Sequence, residues 1–178
     1  MDLILSTDQL QIINCDLQMI ETLLRGNAAL ALYLGAEVPG DWTEFGTPIF
    51  QCTSARLREF PNDAKWWTWL AVLREENRLV GSCGYKGAPN TDGEVEIGYE
   101  IAASRRRMGL GTEVALALRD FAFGHREVKK VKAHTLAGQN PSTRILERCG
   151  MTKVAEVMDH ADGSLWRWEI DRETYCRG

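Results

Sequence analysis

The residues best suited to chemistry lie between Glu94 and Thr112. A strand-like run, Glu94-Val95-Glu96-Ile97-Gly98-Tyr99-Glu100-Ile101, gives way to a basic loop holding Arg105, Arg106 and Arg107. A helical pattern then begins on Met108-Gly109-Leu110-Gly111-Thr112. The start of a helix has unpaired N–H groups and partial positive charge. Glycines there let the backbone approach a bulky anion, and arginines add guanidinium groups for phosphate oxygens. The chemistry implied is phosphate or pyrophosphate binding. Two phosphate-binding motifs fail residue by residue. Val114 stands where a dinucleotide fingerprint needs its third glycine, and the lysine of a P-loop is absent. A glycine-rich turn beside three solvated arginines, with no ligand at all, stays open on these residues alone.

The elements around this loop follow from pattern. Leu10–Ile12 reads as a short strand, and Asp16 as the N-cap of a helix in which Ile20, Leu23 and Leu24 recur. A turn-rich stretch from Gly35 to Pro48 leads to a second helix, Phe50–Phe60. Strand patterns follow at Trp66–Arg74, Leu79–Tyr85 and Glu94–Ile101, joined by short polar turns. After the loop come a helix over Leu110–Phe123, a strand over Val128–Leu136 and a helix over Pro141–Cys149 with Asn140 before it and Gly150 after it. Val154–Met158 and Ser164–Ile170 close the chain around an Asp162-Gly163 turn. The pattern predicts an α+β domain, antiparallel in front and βαβ-like behind, with about 6–7 strands and about 4 helices.

At 178 residues the chain fits one domain, 1–178, with its core over about 7–170. The net charge of −4 argues against a nucleic-acid surface. Cys15, Cys52, Cys83, Cys149 and Cys176 are odd in number and scattered, which argues against a disulfide framework or a zinc site and for reduced thiols in a cytoplasmic protein. The first residues lack the basic and apolar regions of a signal peptide, and no run approaches the length of a membrane span. No metal, membrane or direct nucleic-acid partner is expected.

Arg106-x-x-Gly109-x-Gly111 resembles the [Gln/Arg]-x-x-Gly-x-Gly/Ala signature of the GNAT superfamily of N-acetyltransferases. Glu96-Ile97-Gly98-Tyr99-Glu100 and Asn140-Pro141-Ser142-Thr143-Arg144-Ile145-Leu146-Glu147-Arg148-Cys149-Gly150-Met151 are similar to segments of its ribosomal-protein N-terminal (alanine) acetyltransferase-like branch. The likeness spans roughly Thr7 to Ile170 and is strongest from Glu94 to Met151. Departures are Arg107, where the branch often has Gly, Thr143 for Ser, and Met151 for Phe.

The resemblance implies the GNAT fold and direct attack of a primary amine on the thioester of acetyl-CoA. It implies that the backbone of Tyr99, Glu100 and Ile101 holds the pantetheine arm. Arg106, Arg107, Met108, Gly109, Leu110, Gly111 and Thr112 would hold the pyrophosphate, and Asn140 with Thr143 would lie along the arm. A carboxylate on the strand before the loop would act as base. Glu94 and Glu96 share a face there, and Glu96 is preferred. The acid tyrosine common in the family is replaced by Leu146; Tyr99, on the strand before the loop, is the candidate acid, and the alternative is a thiolate that leaves unaided and takes a proton from water. Trp42 and Phe45, beside Asp41 and Glu44, would wall the acceptor site, as that region does in the family. His125, His134 and His160 read as ordinary surface or core histidines. The implied acceptor is a small-molecule amine or a protein N-terminus, and the family allows a homodimer. The competing expectation is a non-catalytic acyl-CoA-binding regulatory module.

Overall fold

The computed structural model describes residues 3–178. Among the described residues eight strands form one sheet: β1 (Ile4–Ser6), β2 (Leu10–Asn14), β3 (Thr68–Leu73), β4 (Arg78–Tyr85), β5 (Glu94–Ile101), β6 (Lys130–Leu136), β7 (Thr152–Asp159) and β8 (Gly163–Asp171). Their spatial order is β1-β2-β3-β4-β5-β6-β8-β7, and every neighbouring pair is antiparallel except β5 and β6. Six α-helices accompany them: α1 (Leu17–Leu24), α2 (Asn27–Leu34), α3 (Thr47–Glu59), α4 (Leu110–Gly124), α5 (Pro141–Arg148) and α6 (Arg172–Arg177). The class is α+β, as the sequence predicts.

The two faces of the sheet are covered unequally. One side packs α4 and α5 against β2 to β6 and β8 through Val95, Ile97, Leu110, Val114, Leu118, Val131 and Leu146. The other packs α1 to α3 through Ile20, Leu30, Phe50 and Leu57 against Leu70, Val72 and Leu79. This second core draws on β3 and β4 but on no residue of β5 to β8. Hence β3 is buried at every residue, whereas β5 alternates: Val95 and Ile97 are buried and Glu94, Glu96 and Gly98 only half-buried. Charged side chains are tolerated on that face because no helix covers it and water reaches them.

Several elements depart from the sequence pattern. The three-residue β1, below the length at which alternation can be read, adds the eighth strand. The first helical region breaks at Gly26, whose φ of 115° ends one helix and starts the next. In α2 the apolar residues run all around the helix: Leu30 is buried while Leu32 is 87% exposed, so no stripe marks it. Trp66 closes a 3-10 turn over Pro61–Trp66 and does not open β3. The C-terminal α6 begins at an Asp171 cap whose carboxylate accepts from the Thr174 amide.

Candidate functional site

The loop between β5 and α4 has the conformation an anion cradle needs. Arg107 (φ 65°) and Gly109 (φ 82°) both take left-handed backbone, and Gly109 caps α4. The backbone N–H groups from Arg107 to Gly111 donate to nothing among the described residues, while Thr112 and Glu113 donate to the Gly109 carbonyl. Successive free amides at a helix start are a phosphate-binding arrangement. The two glycines serve different ends. A Cβ on Gly109 would meet nothing within 4 Å, so its need is the backbone angle; a Cβ on Gly111 would lie 2.9 Å from Ile145 Cδ1, the movable end of a side chain where α5 approaches α4.

Of the three arginines, Arg105 is held by Glu76 through two hydrogen bonds of 2.8 and 2.5 Å. Arg106 donates to the Ile101 carbonyl (3.2 Å) and to Glu44 (2.7 Å). Arg107 is exposed and has no ion pair among the described residues. Arg107 is therefore the guanidinium most available to an incoming phosphate.

Next to this loop the sheet opens. β5 and β6 pair only at Glu94–Lys130, Val95–Val131 and Glu96–Lys132. From Ile97 to Ile101, β5 stays paired with β4 but has no strand partner on its β6 side. The opening therefore exposes the backbone edge of Tyr99, Glu100 and Ile101, which could hydrogen-bond an extended amide chain. The pyrophosphate-type cradle and this edge are contiguous, and their combined chemistry fits the cofactor implied by the sequence.

The face of β5 away from α4 carries Glu94, Glu96, Gly98 and Glu100. Glu94 is bound by Lys132 (2.6 Å) and Lys130 (3.4 Å), and the Lys132 ammonium beside it, aided by Asn90 and opposed by burial, holds its carboxyl down to about 2. Bound between two lysines, Glu94 is the less available proton acceptor of the two strand carboxylates. Glu96 lies between Lys86 and His134, with His134 Nδ1 2.9 Å from its Oε1. Burial pushes its carboxyl up, but Lys86 and then His134 outweigh that and hold it below its ordinary value. Gly98 leaves the face open, for a Cβ there would meet nothing within 4 Å.

Glu100 behaves differently from the expectation that only its backbone matters. Its buried carboxylate accepts from Thr43 Oγ1 (2.6 Å), Ser82 Oγ (2.7 Å) and the amides of Glu44 (2.8 Å) and Phe45 (3.2 Å). It ties the Asp41–Gly46 loop to the sheet. The Ser104–Asp41 hydrogen bond (2.8 Å) and the Arg106–Glu44 ion pair join that loop to the cradle as well. The alternation of Glu96, Gly98 and Glu100 on one strand was the available signal for this side chain.

Three expected ligand contacts are corrected by the packing. Trp42 is 2% exposed, stacks on Phe50 with ring centres 5.5 Å apart, and donates Nε1–H to Asn27. It anchors the loop from within the core and walls nothing, while Phe45, 60% exposed, is free to do so. Asn140 forms a capping box with Thr143, and its amide nitrogen donates to the carbonyls of Leu136 and Gly138. Both amide hydrogens are therefore engaged within the chain. Thr143 is fully buried, with its hydroxyl bonded to Asn140. Tyr99 projects to the α4–α5 side, opposite Glu96. Its hydroxyl is buried near Ser142 without satisfying a hydrogen bond, and burial pushes its pKa up, so it remains protonated at neutral pH. His134, which sequence reasoning left among ordinary histidines, stands within the Glu96 cluster.

Comparison with known proteins agrees with this architecture. Residues 22–152 match the family model described as Acetyltransferase (GNAT) domain. The uncharacterized N-acetyltransferase YjdG of Bacillus subtilis is 24% identical over 168 residues, covering 93% of this chain and 96% of its own. Among solved structures, the ribosomal-protein-S5-alanine acetyltransferase of Vibrio fischeri superposes with a TM-score of 0.69 at 14% identity, over 97% of this chain and 98% of that one. Aminoglycoside acetyltransferase AAC(6')-Ib, solved with coenzyme A and kanamycin, gives 0.65 at 17% identity over 94% and 98%. At such identities these two structures speak for the fold alone. The family match extends over most of the sequence and includes the cradle, the opened strand and the α5 cap, so the chain belongs to the GNAT family of acetyltransferases and is an N-acetyltransferase enzyme.

Proposed function

We propose that the protein transfers the acetyl group of acetyl-CoA to a primary amine, which enters from the Glu96–Gly98–Glu100 face of β5. The observation that carries this reading is the parting of β5 from β6 directly beside the free amides of Arg107 to Gly111. In this reading the amides of the cradle, with Arg106, Arg107 and Met108 to Thr112 around them, hold the pyrophosphate. The edge of Tyr99, Glu100 and Ile101 holds the pantetheine. Bound acetyl-CoA supplies an activated acetyl thioester. The chain's own contribution is to orient the amine and remove its proton.

The acceptor side is suited to a cation. Glu44 and Asp41 sit on the tethered loop with exposed Phe45, and Glu96 lies on the strand below. Carboxylates beside an aromatic ring attract an ammonium group. Proton removal falls to the Glu96 cluster, since Glu94 is bound between two lysines. Tyr99, kept as a hydroxyl on the cofactor side, is the available donor to a departing thiolate. Similar folds act on both classes of amine: a spermidine N-acetyltransferase of Vibrio cholerae, aminoglycoside and ribosomal-protein enzymes are all among them. The test is thiol release from acetyl-CoA with an alanine-terminated peptide, spermidine and kanamycin as separate acceptors. Transfer to at least one is expected; binding of acetyl-CoA without transfer to any amine would overturn the proposal.

A further inference from the structure

An amine at neutral pH arrives as an ammonium ion, and its proton needs a destination on the acceptor face. We propose that His134 accepts that proton at Nε2, and that Glu96 is the residue that positions the imidazole. This assignment rests on the acetyl-transfer reading above and adds a residue to it.

Position is the first argument. The β5–β6 ladder stops at Glu96–Lys132, and the next same-face pair in that register is Gly98 with His134. His134 thus stands where the strands part, opposite a residue with no side chain and open space around it. Its neighbours on β6, Ala133 and Thr135, turn into the α5 side and are buried. The imidazole itself is 22% exposed, within reach of a substrate or one bridging water.

Hydrogen bonding is the second argument. Nδ1 lies 2.9 Å from Glu96 Oε1, and no partner for Nε2 exists among the described residues. A carboxylate can only accept, so neutral His134 carries its hydrogen on Nδ1 and presents a bare lone pair at Nε2. Lys86 pairs with the same Glu96 oxygen, Oε1. A carboxylate held by a lysine and an imidazole orients its partner and stabilises the imidazolium, and has little call to take up a proton itself.

The charged groups around His134 are Glu96 and Glu94 on β5, Lys86 at the end of β4, Lys132 on β6, Arg167 directly across on β8, and Asp159 at the hairpin. Lys132 is paired with Glu94 and Arg167 with Glu169, so neither cation is left to oppose the imidazolium alone. The step balances as follows. The ammonium gives one proton to Nε2. Its nitrogen lone pair then forms the C–N bond to the acetyl carbon as the C–S bond breaks. Tyr99 gives its hydroxyl proton to the leaving thiolate and is restored, through water, by the nitrogen's second proton, and the imidazolium returns its own proton to water.

The experiment is a set of pH–rate profiles for wild type, His134→Gln, His134→Ala and Glu96→Gln. It uses acetyl-CoA and whichever of the three acceptors above turns over fastest. Acetyl-CoA dissociation constants are measured alongside. His134→Gln should lower kcat by about 100-fold or more and leave acetyl-CoA affinity within about twofold. It should also abolish the fall in rate that wild type shows on the acid side. Added imidazole should restore part of the rate of His134→Ala, which a purely structural role would not allow. Glu96→Gln should lower kcat and keep the acid-side fall. A wild-type profile for His134→Gln, or an acid-side fall that survives in it and vanishes in Glu96→Gln, would overturn the assignment alone. No turnover by wild type on any amine would overturn the acetyl-transfer reading itself.

Discussion

Replacing Glu100 should separate two ways of losing a buried carboxylate. Oε1 accepts from the hydroxyls of Thr43 and Ser82, and Oε2 from the amides of Glu44 and Phe45. In Glu100→Gln the carbonyl oxygen can keep the two backbone amides. The new NH2 group then faces two hydroxyls, which can rotate and accept. Each partner keeps one hydrogen bond to the side chain, and what is lost is charge assistance and the hydroxyls' acceptor, at about 1 kcal/mol. In Glu100→Ala all four bonds go. The exposed Glu44 and Phe45 amides can rehydrate, whereas Ser82, 7% exposed, is left stranded. Four non-additive bonds with one stranded partner put the cost at about 2–4 kcal/mol. For a chain of this size that is a Tm loss of roughly 5–15 °C. Urea unfolding gives the free energies. Steady-state kinetics should show the acceptor KM rising in Glu100→Ala more than the acetyl-CoA KM, because the loop bearing Phe45 is released. Equal losses in the two variants, or a loss below about 0.5 kcal/mol in Glu100→Ala, would refute the tether.

Other outcomes follow from the same contacts. Gly111→Ala should change stability by less than about 1 kcal/mol, because its Cβ meets only Ile145 Cδ1, the movable end of a side chain, and alanine favours the helix; a loss above about 2 kcal/mol in urea unfolding would contradict that reading. Asn140→Ala should lower stability by about 1–2 kcal/mol through its cap yet leave acetyl-CoA affinity within about twofold, as titration calorimetry would check. Glu94 is held at about 2, against an ordinary 4.5. A depressed carboxylate stabilises the fold fully above its ordinary range, and that stability fades as pH falls from about 4.5 to about 2. Full conversion would be roughly 3 kcal/mol, but the pair is only half-buried and water screens it, which leaves about 1 kcal/mol. Glu94→Gln should therefore lose about that much at pH 7 and progressively less below pH 4, as urea titrations at each pH would show.

Local signals carried the cofactor side of the site, and long-range geometry decided the acceptor side. Gly109 and Gly111 punctuate a helix start, and Asn140-Pro141 followed by Thr143 spells a capped helix, so α4 and α5 were legible within a few residues. The same Asn140 pattern described a cap, and the structure shows that the cap engages its amide hydrogens. Alternation made β5 visible, and with it the shared face of Glu94 and Glu96. Which of those carboxylates was available depended on lysines and a histidine from β6, a strand more than 30 residues away, through a parallel register that no local pattern states. Trp42 illustrates another limit: an aromatic in a turn-rich segment can face either way, and only Phe50 and Asn27 decide that it turns inward. The helix α2 was missed because its apolar residues have no preferred side.

The most direct test of the central claim is the stability of the protein with acetyl-CoA, CoA, ATP or NAD, in wild type and in Gly109→Trp. Ligand that binds only the folded state raises Tm by mass action. The account predicts a rise with acetyl-CoA and CoA, little with ATP or NAD, and none in Gly109→Trp, whose large side chain would sit across the free amides of the cradle. Absence of any rise with either CoA species at saturating concentration, or an undiminished rise in Gly109→Trp, would contradict it.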